Sequence, residues 1–514
     1  MSEGLLFPPL PHRIESRAPA AARDISLQQF VRHATVTKDT GRVDACRAAF
    51  GVRYDDLRRH AGAIKSHTLD HLDLYLETFE AAATRAGATV HWAADADSAN
   101  RICLDIARRV NAKVCVKSKS MATEEIRLLP ALEAAGVRTI ETDLGEFIVQ
   151  LDGDAPSHIV TPMIHKNRAS VARAFVRDLG APYTEDPGEL TMIARDHMRR
   201  LFARAGLGVS GGNFLIADTG TLVLCTNEGN ADLTVSLPPV HVAVVGIEKL
   251  IPTMADLPVF LKLLARSATA QPITIYTTCI TGPRRASSTN APADADGPRE
   301  LHIILLDNGR SQLLREPTRE LLRCIRCGAC LNACPVYKAV GGGHAYGSVY
   351  SGPIGAAITP HLRGLHNYPD LATASSLCGA CFHACPVHID LPAQLIALRE
   401  KSARRKISPA PERAVMRLWR WIMQSPLRYQ LAARLARIAL SRLDGMDIPL
   451  PGPLGAWTSC RATPRPGALD FRAWWSTREQ SRIGASGGPV VHGEQKARAR
   501  AGESPPARKD GGVA

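Results

Sequence analysis

Residues 324–335 of this chain are CIRCGACLNACP, and residues 378–386 are CGACFHACP. The two stretches hold seven of the thirteen cysteines in the sequence. Two-residue gaps allow one tight loop to present three thiolates to a single iron–sulfur cubane, while a cysteine that precedes proline reaches the other cluster of a two-cluster ferredoxin. The spacing therefore predicts a ferredoxin-type segment with two [4Fe-4S] clusters.

The same spacing divides the cysteines between the two clusters. The first cluster is expected on Cys324, Cys327, Cys330 and Cys385, and the second on Cys334, Cys378 and Cys381. The missing eighth thiolate would fall at position 375, which is Ser375. The second cluster could contain three irons, could take Ser375, water or a partner's ligand on its fourth iron, or could be completed by a distant cysteine. The sequence leaves these alternatives open.

Zinc and disulfide bonds are the other common uses of grouped cysteines. Zinc favours isolated C-x-x-C pairs that close a four-ligand site. Disulfides do not require a C-x-x-C-x-x-C-x-x-x-C-P run, which is typical of bacterial ferredoxins. Iron–sulfur ligation is therefore the preferred interpretation.

The front half of the chain alternates between helical and β-rich patterns. Helices are expected near 68–86, 97–110 and 122–135, and strands near 89–92, 113–117 and 137–141, followed by further strands at 213–217, 221–226, 241–247, 273–279 and 302–306. Repeated strand–helix units predict a parallel sheet with crossover helices. The predicted class is therefore α/β, and no glycine-rich nucleotide motif accompanies it.

Two polar segments follow predicted strands and suggest a ligand pocket. One contains Lys117 and Lys119, and the other contains Glu228, while Glu141 ends a neighbouring strand. Because ligands of open α/β sheets bind at the carboxyl ends of the strands, these four residues form a candidate pocket. Turn formation and solvated charge are the alternative explanation.

Composition indicates an intracellular redox protein of several domains. The chain has 514 residues and 45% apolar content, no stretch approaches the about 20 apolar residues of a membrane span, and no export signal is visible. A cytoplasmic location is therefore expected. The expected divisions are an N-terminal helical extension at 1–66, an α/β domain at 67–308, a dicluster domain at 309–400, a helical segment at 401–477 and a disordered basic tail at 478–514.

The net charge of +14 is concentrated after residue 400, where 21 Lys and Arg face 8 Asp and Glu. Residues 411–443 have helical periodicity, and Pro426 is expected to break or kink the helix. Such a basic amphipathic segment can pack on the cluster domain, dock on an acidic partner or lie on an anionic membrane surface. Nucleic acid is not expected, because the aromatic residues do not form a recognisable binding motif.

Several segments match motifs of known proteins. One set comprises Ser118 to Ala122, Glu141 to Glu146, Asp218 to Thr221 and Thr226 to Ala231, and it resembles the lactate-utilisation (LUD) domain. A second set comprises Arg323 to Cys327, Tyr346 to Ala356 and Pro453 to Thr458. This second set resembles the dicluster and C-terminal segments of the lactate utilisation protein B family. Asp218 stands where many relatives carry Glu, and the tail after residue 478 matches nothing in the family.

The resemblance implies an iron–sulfur subunit of a three-protein cytoplasmic system that oxidises L-lactate to pyruvate. The implied partners are a cysteine-rich iron–sulfur subunit and a small single-domain LUD protein. The implied LUD fold is similar to the sugar-phosphate isomerase and CoA-transferase group, and seven cluster cysteines are the usual set. The resemblance favours electron transfer and does not imply that this subunit converts substrate.

Three other classes of function remain. The chain could serve another hydroxyacid dehydrogenase or a quinone-linked one, or its LUD domain could carry transferase-like or isomerase-like catalysis. A regulatory or nucleic-acid-binding role is favoured only by the basic C-terminal region.

Overall fold

The computed structural model describes residues 3–118, 120–286, 294, 296–442, 455 and 471–484. The chain divides into two compact units, residues 1–409 and 410–514. Both the predicted α/β domain and the cysteine motifs belong to the first unit. Among the described residues, no helix is long and apolar enough to cross a membrane.

The first unit begins with five helices: α1 (Glu3–Leu6), α2 (Ile14–Ala21), α3 (Ile25–Phe50), α4 (Tyr54–Asp70) and α5 (Leu72–Arg85). Asp24 begins the long helix α3 by accepting a hydrogen bond from the Leu27 backbone N–H at 2.9 Å. Val31 of α3 and Ala61 of α4 are fully buried in a hydrophobic core that also contains Cys327 and Cys330. These helices therefore pack against the cysteine motifs.

Ten strands form two sheets in the described part of the chain. They are β1 (Thr89–Ala93), β2 (Val114–Ser118), β3 (Arg138–Glu141), β4 (Leu207–Ser210), β5 (Phe214–Ile216), β6 (Thr221–Thr226), β7 (Val240–Gly246), β8 (Leu250–Ile251), β9 (Tyr276–Ile280) and β10 (Glu300–Leu306). The larger sheet is entirely parallel, with strand order β1-β10-β7-β4-β2-β3. The predicted mixed α/β class with a parallel sheet is confirmed.

The smaller sheet has the order β8-β5-β6-β9. Strands β5 and β6 form an antiparallel hairpin whose turn includes Gly220, with φ at +65°. A Cβ atom at Gly220 would lie 2.2 Å from the Ala83 backbone nitrogen of α5, so only glycine fits this turn.

Helices cover both faces of the parallel sheet. They are α6 (Ala96–Arg109), α7 (Met121–Glu125), α8 (Leu128–Ala134), α9 (Leu144–Leu151), α10 (Arg168–Leu179), α11 (Pro187–Phe202), α12 (Asn230–Ser236) and α13 (Leu257–Thr269). Every residue of the inner strand β7 is consequently buried. The single helix expected at 122–135 is wrong: Arg127 adopts φ of +57° and separates α7 from α8.

The cysteine-rich segment is built from short helices and loops. Its helices are α14 (Arg310–Leu314), α15 (Ala329–Ala333), α16 (Pro335–Ala339), α17 (Gly352–Leu362), α18 (Ala380–Ala384) and α19 (Leu391–Arg404). Leu331, Ala356 and Ala384 of these helices are fully buried in the core that the segment shares with the N-terminal helices.

In the part of the second unit that the structure describes, the helices are α20 (Ala410–Met423), α21 (Pro426–Arg442) and a last helix, Phe471–Gly484. The expected break at Pro426 is confirmed, since α20 ends three residues earlier. Trp419 and Trp421 of α20 are more than half exposed. The last helix extends past residue 478, where the tail was expected to begin, and the rest of that predicted tail, 485–514, lies outside the described residues.

Candidate iron–sulfur centre and adjacent cavity

The two cysteine motifs adopt the same local conformation. In the first motif the residue before Cys327 and the residue after it, Arg326 and Gly328, have positive φ values of 59° and 75°. In the second motif the residues on either side of Cys378, Leu377 and Gly379, have values of 53° and 83°. Each loop then enters a five-residue helix, α15 or α18, which ends at a Cys-Pro pair. The structure therefore contains an internal repeat of one cysteine-presenting loop.

Long-range packing brings the two motifs together in a crossed arrangement. Around Cys330, the neighbouring thiols with the strongest electrostatic effect are Cys324, Cys327 and Cys385. Around Cys381, the thiols with an electrostatic effect are Cys334 and Cys378, and Cys381 itself has the weakest effect of four thiols on Cys330. The last cysteine of each motif thus lies with the first cysteines of the other motif. All seven are free thiols, so the structure gives no support to disulfide pairing.

The surroundings of these sulfurs fit an iron–sulfur cluster. Backbone N–H groups of Arg326 and Ile389 lie 3.4 Å and 3.3 Å from the sulfurs of Cys324 and Cys385, at hydrogen-bonding geometry. The Tyr337 N–H donates in the same way to Cys334 at 3.5 Å. Such bonds stabilise thiolate sulfur and tune cluster potentials.

Two of the buried thiols, Cys330 and Cys385, would be costly to ionise without a metal. Burial raises the pKa of Cys330 well above its usual value, and the neighbouring thiols add to the rise. Burial likewise raises the pKa of Cys385 to about 11. Because a coordinating metal removes the thiol proton outright, bound iron would compensate the negative charge that these packed sulfurs acquire as thiolates.

Ser375 occupies the position in the second motif that Cys324 occupies in the first. The Leu377 N–H donates to Ser375 Oγ at 3.1 Å, which repeats the hydrogen bond from Arg326 N–H to Cys324 Sγ. The local backbone therefore presents the Ser375 oxygen as it presents the Cys324 sulfur.

An N-terminal arginine holds the second motif against the rest of the unit. Arg58, on α4, donates from Nε to the Cys385 carbonyl and from Nη2 to the Phe382 carbonyl, both at 2.7 Å. Its side chain is buried, and Asp55 pairs with it at 2.6 Å. Sequence reasoning missed Arg58, because no local pattern distinguishes it from the other arginines of the N-terminal region.

A cavity of about 400 Å³ lies between the carboxyl edge of the parallel sheet and the first cysteine motif. The sheet side supplies Asn213, Gly246 and Lys249, and the motif side supplies Arg326 and Cys327. This edge is where an open α/β sheet binds ligands, and the cavity volume is within the usual range for a ligand site.

A buried ion-pair network forms one wall of this cavity. Arg310 donates to both oxygens of Glu125 at 2.9 Å and from Nε to Glu248 at 2.6 Å. Tyr350 also donates to Glu125 at 2.6 Å, and Arg326 approaches Glu248 at 3.3 Å. Burial would raise the pKa of Glu248, but Arg310 and Arg326 hold it at about 2.

Lys249 follows Glu248 and faces the same region. Burial lowers the pKa of Lys249 to about 8, and the guanidinium of Arg326 contributes to the decrease. Lys249 and Arg326 therefore place two cationic groups beside Glu248 in the lining of this cavity.

The four residues of the predicted LUD pocket are only partly brought together. Lys117 contacts Glu141 at 2.8 Å, and it also pairs with Glu124 and Glu146 at 3.3 Å and 3.5 Å. Lys117 is completely buried, whereas Glu141 lines a separate cavity of about 320 Å³. Glu228 lines the larger cavity beside Cys327, and Lys119 lies outside the described residues.

The matches to protein-family models follow the same order of segments along the chain. The LUD domain model matches residues 76–306, the 4Fe-4S dicluster domain model matches 320–389, and the lactate utilisation protein B C-terminal model matches 392–480. Together with the crossed cysteine motifs, these matches define an iron–sulfur protein in which a LUD α/β domain precedes a dicluster segment.

Similar proteins identify the family. The chain is 44% identical to lactate utilization protein B of Oceanobacillus iheyensis over 428 residues, covering 83% of this chain and 88% of that protein. Identity to lactate utilization protein B of Geobacillus kaustophilus is 44% over 431 residues, covering 83% and 89%. The chain belongs to the lactate utilization protein B family.

Among solved structures, a DUF162 family protein from Deinococcus radiodurans matches 46% of this chain and 98% of its own. Its sequence identity is 14% and its TM-score is 0.25.

Proposed function

We propose that this chain is the iron–sulfur electron-transfer subunit of a system that oxidises L-lactate to pyruvate. The two-electron oxidation of a 2-hydroxy acid to a 2-oxo acid also releases two protons. Each bound cluster accepts and passes on one electron at a time. A pair of clusters held by crossed motifs suits the sequential transfer of both electrons.

The crossed packing of the cysteine motifs is the observation that carries this proposal. One proposed cluster is held by Cys324, Cys327, Cys330 and Cys385, and the other by Cys334, Cys378 and Cys381. The hydrogen bond from Leu377 N–H to Ser375 Oγ supports Ser375 as the residue nearest to the eighth ligand position. The protein's own contribution is to place the sulfurs, bury them and surround them with N–H donors.

The proposed partners are a cysteine-rich iron–sulfur subunit and a small single-domain LUD protein, and the proposed location is the cytoplasm. The basic C-terminal segment is the candidate docking region, because α20 and α21 carry arginines beside exposed apolar side chains. An acidic surface on a partner would complement it.

The first test is to purify the full chain anaerobically and to measure iron and acid-labile sulfide, with electron paramagnetic resonance before and after dithionite. Two four-iron clusters predict about eight irons per chain and coupled signals in the reduced protein. About seven irons with an oxidised three-iron signal would show that the site at Ser375 lacks a ligand.

Matched variants locate the clusters. We expect Cys378→Ser to lower the iron content and to remove the coupling between the reduced signals. Cys279→Ser is the control, because Cys279 is an exposed thiol on β9, outside both motifs. Bound zinc in place of iron, or equal effects of the two substitutions, would contradict the proposed clusters.

The lactate assignment needs the assembled system. With both partner proteins present, L-lactate should reduce the clusters of the wild-type chain under anaerobic conditions, and the Cys378→Ser variant should be slower. Reduction by a different hydroxyacid, with no response to L-lactate, would reassign the substrate while leaving the electron-transfer role in place.

A further inference from the structure

The cavity beside Cys327 has cationic groups that its own surroundings do not fully neutralise. Arg326 places Nη2 near Glu248, but its Nη1 is buried and has no hydrogen-bond partner among the described residues. The Arg326 side chain is 8% exposed, so water does not readily replace the missing acceptor. A buried donor without an acceptor carries a substantial free-energy cost.

Lys249 provides a second cation at the same end. Its Nζ forms no ion pair or hydrogen bond with any residue that the structure describes, although Glu248 and Arg326 are close enough to affect its charge. Arg310 differs, because Glu125 and Glu248 together accept from its Nε, Nη1 and Nη2. Lys249 and Arg326 therefore remain available to an anion in the cavity.

The orientation of Arg326 is fixed before any ligand binds. Its guanidinium lies 4.6 Å from the centre of the Tyr350 ring, and Tyr350 is itself held by a hydrogen bond to Glu125. A guanidinium fixed in this way loses little side-chain entropy when it binds an oxyanion. The arginine is thus preorganised for a planar acceptor such as a carboxylate.

The rest of the cavity lining is mixed. It includes apolar side chains such as Val245 and Leu264, and the carboxylates Asp143, Glu146 and Glu228. A bound carboxylate is attracted to the cations of this lining and repelled by its carboxylates.

We propose that this cavity binds a small 2-hydroxy or 2-oxo monocarboxylic acid, with its carboxylate on Lys249 and Arg326. The choice of acid rests on the proposed function, whereas the anion site rests on the two cations and the cavity. Cys327 lines the same cavity, so the bound acid lies next to the proposed first cluster. The LUD domain and the cluster segment then build one site together.

A competing explanation is that Lys249 and Arg326 only balance the negative charge of the cluster. Both cations lie near Cys324, a proposed ligand. In that case their removal would change the cluster potential, but the wild-type chain would bind no acid. A binding measurement on the cluster-loaded protein therefore separates the two explanations.

The test is isothermal titration of the anaerobically purified full chain with L-lactate and with pyruvate. Wild-type protein should bind at least one acid, and Lys249→Met and Arg326→Gln should each weaken it by about 10- to 100-fold, as expected for the loss of a charge-assisted hydrogen bond. Bound acid should also shift the paramagnetic signal of the reduced first cluster.

The controls are Lys262→Met and Arg315→Gln, which remove the same charges from exposed positions. Iron and sulfide are measured on every sample, so loss of a cluster is not mistaken for loss of binding. A cluster-loaded wild-type chain that binds neither acid overturns the site but leaves the electron-transfer function standing. Equal affinities in all variants, or preference for inorganic phosphate over both acids, would also overturn it.

Discussion

Replacing Arg310 by methionine should strongly destabilise the first unit. Arg310 and its partners Glu125 and Glu248 have side chains that are at most 3% exposed. The substitution removes the bidentate pair with Glu125 and the Nε bond to Glu248. Breaking a buried ion pair by deleting one partner costs about 3–5 kcal/mol, because a buried charge loses its compensation.

The contacts that survive the substitution place the expected loss of stability near the lower limit of this range. After the substitution Glu125 still accepts from Tyr350 and from Asn308, both at 2.6 Å. Glu248 retains Arg326 at 3.3 Å and a hydrogen bond from its own backbone N–H. We therefore expect a loss of about 3 kcal/mol, mostly from Glu248. For a unit of 409 residues, average unfolding entropies convert this loss to a decrease of about 3–4 °C in the thermal midpoint.

The assay is thermal unfolding of cluster-loaded protein at one fixed scan rate, because unfolding of such a protein is expected to be irreversible. The control is Arg109→Met, which breaks an exposed pair with Glu300 and should cost less than about 1 kcal/mol.

The loss of stability caused by Arg310→Met should also depend on pH. The pKa of Glu248 is held at about 2, below its unfolded value, so its contribution is present above about pH 4.5 and is lost as the pH falls.

Equal midpoints for the Arg310→Met and Arg109→Met variants would refute this account of the network. A destabilisation that stays constant between pH 7 and the acid limit of folding would refute the assigned role of Glu248.

Two further substitutions test groups outside this network. Burial raises the pKa of Glu124 to about 7, the charge of Glu146 adds to this rise, and the charge of Lys117 opposes it. Because the carboxyl ionises more readily in the unfolded chain, Glu124 lowers the stability of the fold as the pH rises from about 4.5 to 7. Glu124→Gln should therefore stabilise the chain by about 1–3 kcal/mol at pH 8 and have little effect near pH 4.5. Thermal unfolding at the two pH values measures this, and a change in stability that is the same at both would contradict the prediction. Ser375→Cys should supply a thiolate at the position that Cys324 has in the first motif. The iron content should then approach about eight atoms per chain, and chelators should remove the iron more slowly. If the iron content and the rate of iron loss to chelators do not change, Ser375 is not at the ligand position.

Much of the fold was predictable because its patterns are local. The strand–helix alternation between residues 89 and 141 predicted the parallel strands β1, β2 and β3 to within a residue or two. The exception was the helix expected at 122–135, since nothing in the composition around Arg127 required a left-handed residue there. Helix propensity alone does not require this break.

The candidate sites differ in how far the sequence could describe them. The seven cysteines and Ser375 stand out because cluster loops depend on spacings of two and three residues. The roles of Arg58 and Lys249 were not predictable to the same degree. Each is one cation among 63 in the chain, and only its final neighbours distinguish it. Arg326 stands out in the sequence only by its place between Cys324 and Cys327.

The sequence by itself determined the iron–sulfur class, the α/β class and the resemblance to a family, because these depend on short-range order along the chain. The tertiary structure alone decided that Lys117 is enclosed by three carboxylates while Lys249 faces a cavity beside Cys327. The physical reason is that burial and charge compensation depend on residues far apart in sequence. Two lysines that look equivalent in the sequence are thereby given opposite surroundings.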